Sequence, residues 1–134
     1  MKDEHKLFMN IAELFAQQST CNRAMVGSVL VRDGRIISVG YNGSLPKQPH
    51  CSDIGHLMFE NHCIRTVHSE MNTIIFAAKN GIDTKGAVLY TTHYPCLHCT
   101  KMLLGAGVKK VFYRTPYRMD ENPFKHLMPS EKVE

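Results

Sequence analysis

Near the start of the chain, apolar residues recur at helical spacing. Leu7, Phe8, Ile11, Leu14 and Phe15 gather on one side when wound at 3.6 residues per turn, which predicts an amphipathic helix over residues 5–18. The period then changes. Met25 to Val31 is a run of apolar and β-branched residues, Arg35 to Gly40 is a second run, and Asp33-Gly34 between them is a hairpin signal. Residues 42–66 follow neither period and hold Gly, Pro, Asn, His and Cys. A loop of that length in a compact domain needs a function or an internal staple.

Helical spacing returns at Ser69 to Lys79, with Met71, Ile74, Ile75 and Ala78 on one face and Asn80-Gly81 as the stop. Ala87 to Thr91 reads as a short strand, Cys96 to Leu104 as a helix ended by Gly105 and Gly107, and Val108 to Tyr113 as a further strand. The tail from Arg114 is Pro-containing and poor in apolar residues, so it reads as partly irregular. The order α-β-β-α-β-α-β predicts one layered α/β domain over residues 1–134. Ligands of such domains bind where strand ends meet helix starts.

Composition narrows the class. With 134 residues and 43% hydrophobic content the chain can bury a core as one domain. No apolar run is long enough to cross a membrane, and the charged start Met1-Lys2-Asp3-Glu4-His5 lacks the apolar stretch of a signal peptide. Five Cys without such a signal read as metal ligands before disulfides, in a reducing, cytoplasmic setting. The formal charge of +4 leans mildly toward anionic partners such as nucleotides, but the basic residues form no block, so neither a nucleic acid nor a membrane is expected as partner.

The chemistry concentrates in two motifs, His68-Ser69-Glu70 and Pro95-Cys96-Leu97-His98-Cys99. Catalytic zinc takes three protein ligands and keeps a fourth position open. His68, Cys96 and Cys99 make three: two thiolates offset the Zn²⁺ charge and a neutral imidazole completes the set. One helical turn brings the sulfurs of Cys96 and Cys99 to one face, and the helix N-terminus stabilises thiolates. Pro95 suits the first turn of that helix, where its missing N–H costs nothing. Glu70 is then free to act as general acid and base, taking a proton from the attacking water and returning it to a substrate nitrogen. The bland alternative is a structural zinc knuckle. The paired motif in this order instead matches the signature of zinc deaminases, H-x-E followed by P-C-x-x-C.

Three segments together carry a resemblance to one family: Val26 to Ser44, with Gly40-Tyr41-Asn42-Gly43 at its end; His68-Ser69-Glu70-Met71-Asn72; and Pro95 to Cys99. From about Ser19 to Tyr117 the chain resembles deoxycytidylate (dCMP) deaminases, most closely their short bacterial and phage forms. The resemblance implies a three-layer α/β/α cytidine deaminase-like fold with a mixed sheet of four to five strands. It implies zinc-dependent hydrolysis of dCMP to dUMP and ammonia, supplying thymidylate synthesis, in a hexamer with dCTP and dTTP as effectors. It also implies that Asn42 hydrogen-bonds the substrate; by itself Asn42-Gly43 reads as a plain turn. Ser69 stands where relatives often have Ala, and the early end of the chain leaves a missing edge strand, and so four strands, as one expectation.

The same resemblance gives a role to unspent residues. Relatives carry Cys at the positions of Cys21, Cys51 and Cys63, and commonly Cys at His56, so these four imply a second, structural Zn²⁺ closed by four ligands. His62 is the alternate to Cys63, and ordinary buried Cys with surface His is the alternative reading of the whole set. Arg23 offers a fork for a 5′-phosphate, or is a solvated surface charge. Two competing functions remain at this point: a tRNA adenosine or other nucleobase deaminase, and a non-catalytic, zinc-stapled interaction module. The first would want a broad basic groove. The second has no need of Glu70.

Overall fold

The computed structural model describes residues 3–134; Met1 and Lys2, part of the charged start, lie outside them. Helix α1 (Glu4–Ala16) begins at Asp3, whose carboxylate accepts the Lys6 N–H at 3.1 Å, a side-chain N-cap that pairs a donor the helix leaves orphaned. Strands β1 (Gly27–Arg32) and β2 (Arg35–Tyr41) follow. Their turn has Asp33 at φ 53° and Gly34 at φ 74°, the left-handed pair that a two-residue hairpin requires. Later come α3 (Ser69–Lys79), β7 (Val88–His93), α4 (Leu97–Gly105) and β8 (Lys110–Thr115).

The sheet runs β2-β1-β7-β8-β9, with β9 at Ser130–Lys132. β2, β1 and β7 pair antiparallel, and β8 and β9 continue parallel to β7. It is the mixed sheet expected, with five strands rather than four. The tail is not wholly irregular. After 3₁₀ turns at Met119–Glu121 and Lys125–Leu127, β9 adds the edge strand.

Both faces of the sheet are covered, which explains why its central strands read as unbroken apolar runs. Val29, Val31, Tyr90 and Phe112 point to one side and pack with Phe8, Met9 and Ala12 of α1. The intervening Leu30, Leu89 and Val111 point to the other and pack with Leu103 of α4 and Met128, with Ile74 of α3 against them. Helix α1 differs from expectation in its buried face. Phe8, Met9, Ala12 and Ala16 are inside, while Leu7 and Leu14 are more than half exposed. Close approach decides this. A Cβ on Gly27 would collide with the backbone of Ala12 and Ala16, so α1 can sit this near β1 only through small residues.

The 42–66 stretch leaves the sheet and returns. Its base is a two-residue pairing of β3 (Gly43–Ser44) with β6 (Thr66–Val67). Inside lie the short α2 (Cys51–Ile54) and a hairpin of β4 (Met58–Phe59) with β5 (His62–Cys63).

Gly40 sets the position of α3. A Cβ there would stand 2.6 Å from the Ser69 carbonyl oxygen and 2.8 Å from the Thr73 nitrogen, in addition to meeting Thr73 Oγ1. Gly40→Ala is expected to cost about 1–3 kcal/mol or more through overpacking, read as a lowered urea midpoint at unchanged m-value.

Candidate active site

Two helix N-termini converge at one end of the sheet. His68 is the N-cap of α3 and Cys96 the N-cap of α4. Pro95 therefore precedes the cap and lies outside the first helical turn where the sequence placed it. Cys96 takes the capping position because its Sγ accepts the Cys99 N–H at 3.5 Å. Asn42, just past β2, receives the Ser69 N–H on Oδ1 at 2.7 Å and donates from Nδ2 to the Ala24 carbonyl at 2.8 Å. Its amide thus satisfies a helix-end donor and ties the 20–26 loop to α3. Behind it, Ser69 is fully buried, with Oγ 2.7 Å from Ser28 Oγ and 3.1 Å from the Gly40 carbonyl.

His68 Nδ1 lies 3.6 Å from Cys96 Sγ and 3.5 Å from Cys99 Sγ. Tetrahedral zinc, with Zn–S near 2.3 Å and Zn–N near 2.0–2.1 Å, separates a nitrogen and a sulfur ligand by roughly 3.6 Å and two sulfurs by roughly 3.8 Å. The three donors are therefore spaced as zinc requires. Their electrostatics agree. The hydrogen bond with Cys99, and then that with His68, hold the Cys96 thiol down at about 3 against its desolvation. Cys99 is pushed up, first by its bond to Cys96 and then by burial. The bond to Cys96 raises His68. A thiol held this low suits a metal ligand, which binds as its thiolate.

Glu70, in the first turn of α3, is 5% exposed. Burial pushes its carboxyl above the usual range, opposed in part by His68. It shares a pocket with Ala24, Val26, Asn42, His68, His93, Tyr94, Cys96 and Tyr117. His93 is kept neutral by burial, with Nδ1 2.9 Å from Thr92 Oγ1, and meets the Tyr117 ring edge-on at 6.3 Å between centroids. The Arg118 guanidinium lies 5.2 Å from that ring's centre. A second groove shares the walls His68 and Cys96 and adds Arg118, His98 and the β4–β5 hairpin.

Of the expected residues, the structure brings His68, Glu70, Cys96 and Asn42 to one pocket, with Cys99 grouped with His68 and Cys96 behind its wall. Arg23 is exposed, does not line that pocket, and donates to the Asn61 carbonyl at 3.4 Å. Asn61 belongs to the 42–66 excursion. His93 and Tyr117 escaped the sequence reading. His93 ends a strand two residues before Pro95, and Tyr117 stands in a tail without periodicity.

Cys21, Cys51, His56 and Cys63 form a second group of mutually close donors. Cys21 Sγ is 3.4 Å from His56 Nδ1, and the Cys51 and Cys63 sulfurs are 3.5 Å apart, near the same tetrahedral edges. His62 stands outside the group, as its neighbour Cys63 points the other way along the strand.

A mixed sheet between helices, with a His/Cys/Cys donor set at paired helix starts and a buried carboxyl beside it, defines a zinc-site α/β protein of the deaminase kind. Residues 2–115 match the family described as the cytidine and deoxycytidylate deaminase zinc-binding region, and the chain belongs to it. It is 47% identical to ComE operon protein 2 of Bacillus subtilis (strain 168) over 114 residues, covering 85% of this chain and 60% of that protein. It is 36% identical to deoxycytidylate deaminase of Saccharomyces cerevisiae over 129 residues, covering 90% of this chain and 40% of that protein. The chain thus spans 60% and 40% of the length of these two relatives, less than two thirds of each. A crystal structure of dCMP deaminase from the cyanophage S-TIM5 with dCMP and dUMP superposes with a TM-score of 0.84 at 34% identity, covering 99% of both chains.

Proposed function

We propose that this protein is a zinc-dependent hydrolase that converts dCMP to dUMP and ammonia. The observation that carries the reading is the burial of Glu70 in the pocket lined by His68 and Cys96, two of the three clustered donors His68, Cys96 and Cys99. A module that merely held metal would gain nothing from a desolvated carboxyl there. Family membership and the dCMP deaminases among its relatives support the substrate class.

His68, Cys96 and Cys99 would hold the catalytic zinc, with the buried Glu70 in the pocket beside them. Bound zinc supplies the Lewis acidity that makes water nucleophilic at neutral pH. Glu70 accepts the proton of the attacking water as the oxygen bonds to C4 of the cytosine ring, and passes it to N3. It then takes the second proton from the oxygen now on C4 and delivers it to the exocyclic amine, so that the C4–N bond breaks, C4 becomes a carbonyl and ammonia leaves. A carboxyl raised by burial suits such a shuttle, since it gives up its proton as well as taking one. Neutral His93, Tyr94 and Tyr117 wall the pocket, and Asn42 holds the wall in register while offering its remaining hydrogen-bonding capacity to the nucleotide. Phosphate charge is met at the rim, where Arg23 neighbours Ala24 and Arg118 neighbours Tyr117.

Cys21, Cys51, His56 and Cys63 hold a second, structural Zn²⁺ that staples the 42–66 excursion. Assembly into a hexamer belongs to the same reading. The excursion exposes Leu45, Ile54, Leu57, Met58, Phe59 and Ile64 at 44–59% each, an apolar surface that a second subunit would cover. Control by dCTP and dTTP and a cytoplasmic setting complete the proposal; no helix among the described residues is long and apolar enough to cross a membrane.

Glu70→Gln is expected to retain zinc and fold while losing about 10²–10⁴-fold in kcat, measured by metal analysis and ammonia release. Full activity would remove the mechanism.

The purified protein is expected to contain two zinc ions per chain and to sediment as a hexamer. His56→Ala should lose one ion and expose the excursion to protease. One ion per chain, unchanged in His56→Ala, would exclude the structural site.

Substrate choice is tested by kcat/KM for dCMP against deoxycytidine at fixed salt. A charge-assisted contact contributes about 1.5–3 kcal/mol, so dCMP should lead by at least roughly tenfold. Equal values, or turnover of adenosine instead, would move the assignment to another deaminase.

A further inference from the structure

Asn122 lies in the tail, outside both motifs, and is 3% exposed. Such burial of a primary amide is costly unless its groups are paired, and here they are. Nδ2 donates to Thr100 Oγ1 at 2.9 Å and to the Pro95 carbonyl at 3.4 Å, while Oδ1 accepts the Phe124 N–H at 3.0 Å. The two acceptors are chosen by position. The Pro95 carbonyl belongs to the peptide that leads directly into Cys96. Thr100 is fully buried on α4, next to Cys99, and its own N–H bonds the Cys96 carbonyl at 2.8 Å. One side chain thus grips the Cys96–Cys99 turn at both ends.

The third bond sets the other half of the device. Through Phe124 N–H, Asn122 fixes the turn that follows the 3₁₀ segment Met119–Glu121. That segment follows Arg118, which is held in left-handed backbone at φ 45°, and Tyr117, which lines the pocket. The Tyr117 wall and the thiolate turn are therefore referred to one amide.

We propose that Asn122 is a positioning residue of the catalytic centre, which orients the Cys96 and Cys99 sulfurs for metal through Pro95 and Thr100. The proposal rests on His68, Cys96 and Cys99 as the catalytic zinc ligands. Partners that orient ligands without touching the metal typically contribute 10–100-fold in metal affinity. A peg that only filled the core would lower overall stability and leave the two donor groups equally affected.

The test is zinc competition against a chromophoric chelator on the full chain. The phase lost in His68→Ala marks the catalytic site; its presence in the unaltered protein tests the ligand assignment separately from the part given to Asn122. Asn122→Ala is expected to weaken that phase about 10–100-fold and to leave zinc held by the Cys21 group unchanged. Thr100→Val keeps the side-chain volume and removes the Oγ1 acceptor. It should weaken the same phase, and its effect should not add to that of Asn122→Ala, because the two share one hydrogen bond. Equal affinity in Asn122→Ala and the unaltered protein would overturn the proposal, as would equal weakening of both donor groups. Should Asn122→Ala fail to fold, an unchanged catalytic phase in Thr100→Val overturns it alone.

Discussion

The starts of α3 and α4 have to meet within a few tenths of an ångström, because a metal-ligand set tolerates little error in its edges. Nothing in either helix ensures this. Each is short, and both lie against the same face of the sheet. The placement comes from contacts that leave no slack. Gly40 admits the backbone of α3 only because it has no Cβ, and the Asn42 carboxamide spans the gap between Ala24 and Ser69. Close packing transmits such positions without loss, since the interior has few alternative arrangements.

The same convergence shapes the electrostatics. Helix starts favour negative charge, and here two of them face one another over a buried carboxyl and a pair of sulfurs. Burial alone would neutralise Glu70; His68 opposes it. The result is a carboxyl raised above its usual range, beside a thiol that is held low. The geometry and the charge distribution both suit the His68, Cys96 and Cys99 donor set to a cation.

Much of this was legible in the residues. Alternation of helical and apolar runs gave the layers, and Asp33-Gly34 gave the hairpin. The donor set was legible because its residue types at that spacing have few other uses. What could not be read has physical causes. β9 is Ser-Glu-Lys, fully polar and exposed, held by its backbone pairing to β8 and by Met128 and Val133, which are buried on either side. The inner face of α1 is carried by alanines that count for little in a hydrophobic pattern yet allow contact with Gly27. The contact of Arg23 with the Asn61 carbonyl joins residues 38 apart and leaves no local mark in the sequence. Tyr117 and Asn122 come from a segment whose order is imposed by tertiary contacts alone, so no local period marks them.

The pairing of β3 with β6 closes the 42–66 excursion at its root, setting Gly43 against Val67. Asn42 and His68 are the residues immediately outside that clasp. The distance between them is thereby decoupled from whatever lies within the loop. Closing a longer excursion would cost little, about 0.6 kcal/mol for each doubling of its length. The clasp turns this part of the fold into an exchangeable cassette. Outside the Cys51, His56 and Cys63 donors, its length can vary without moving the two residues on which the pocket is hung.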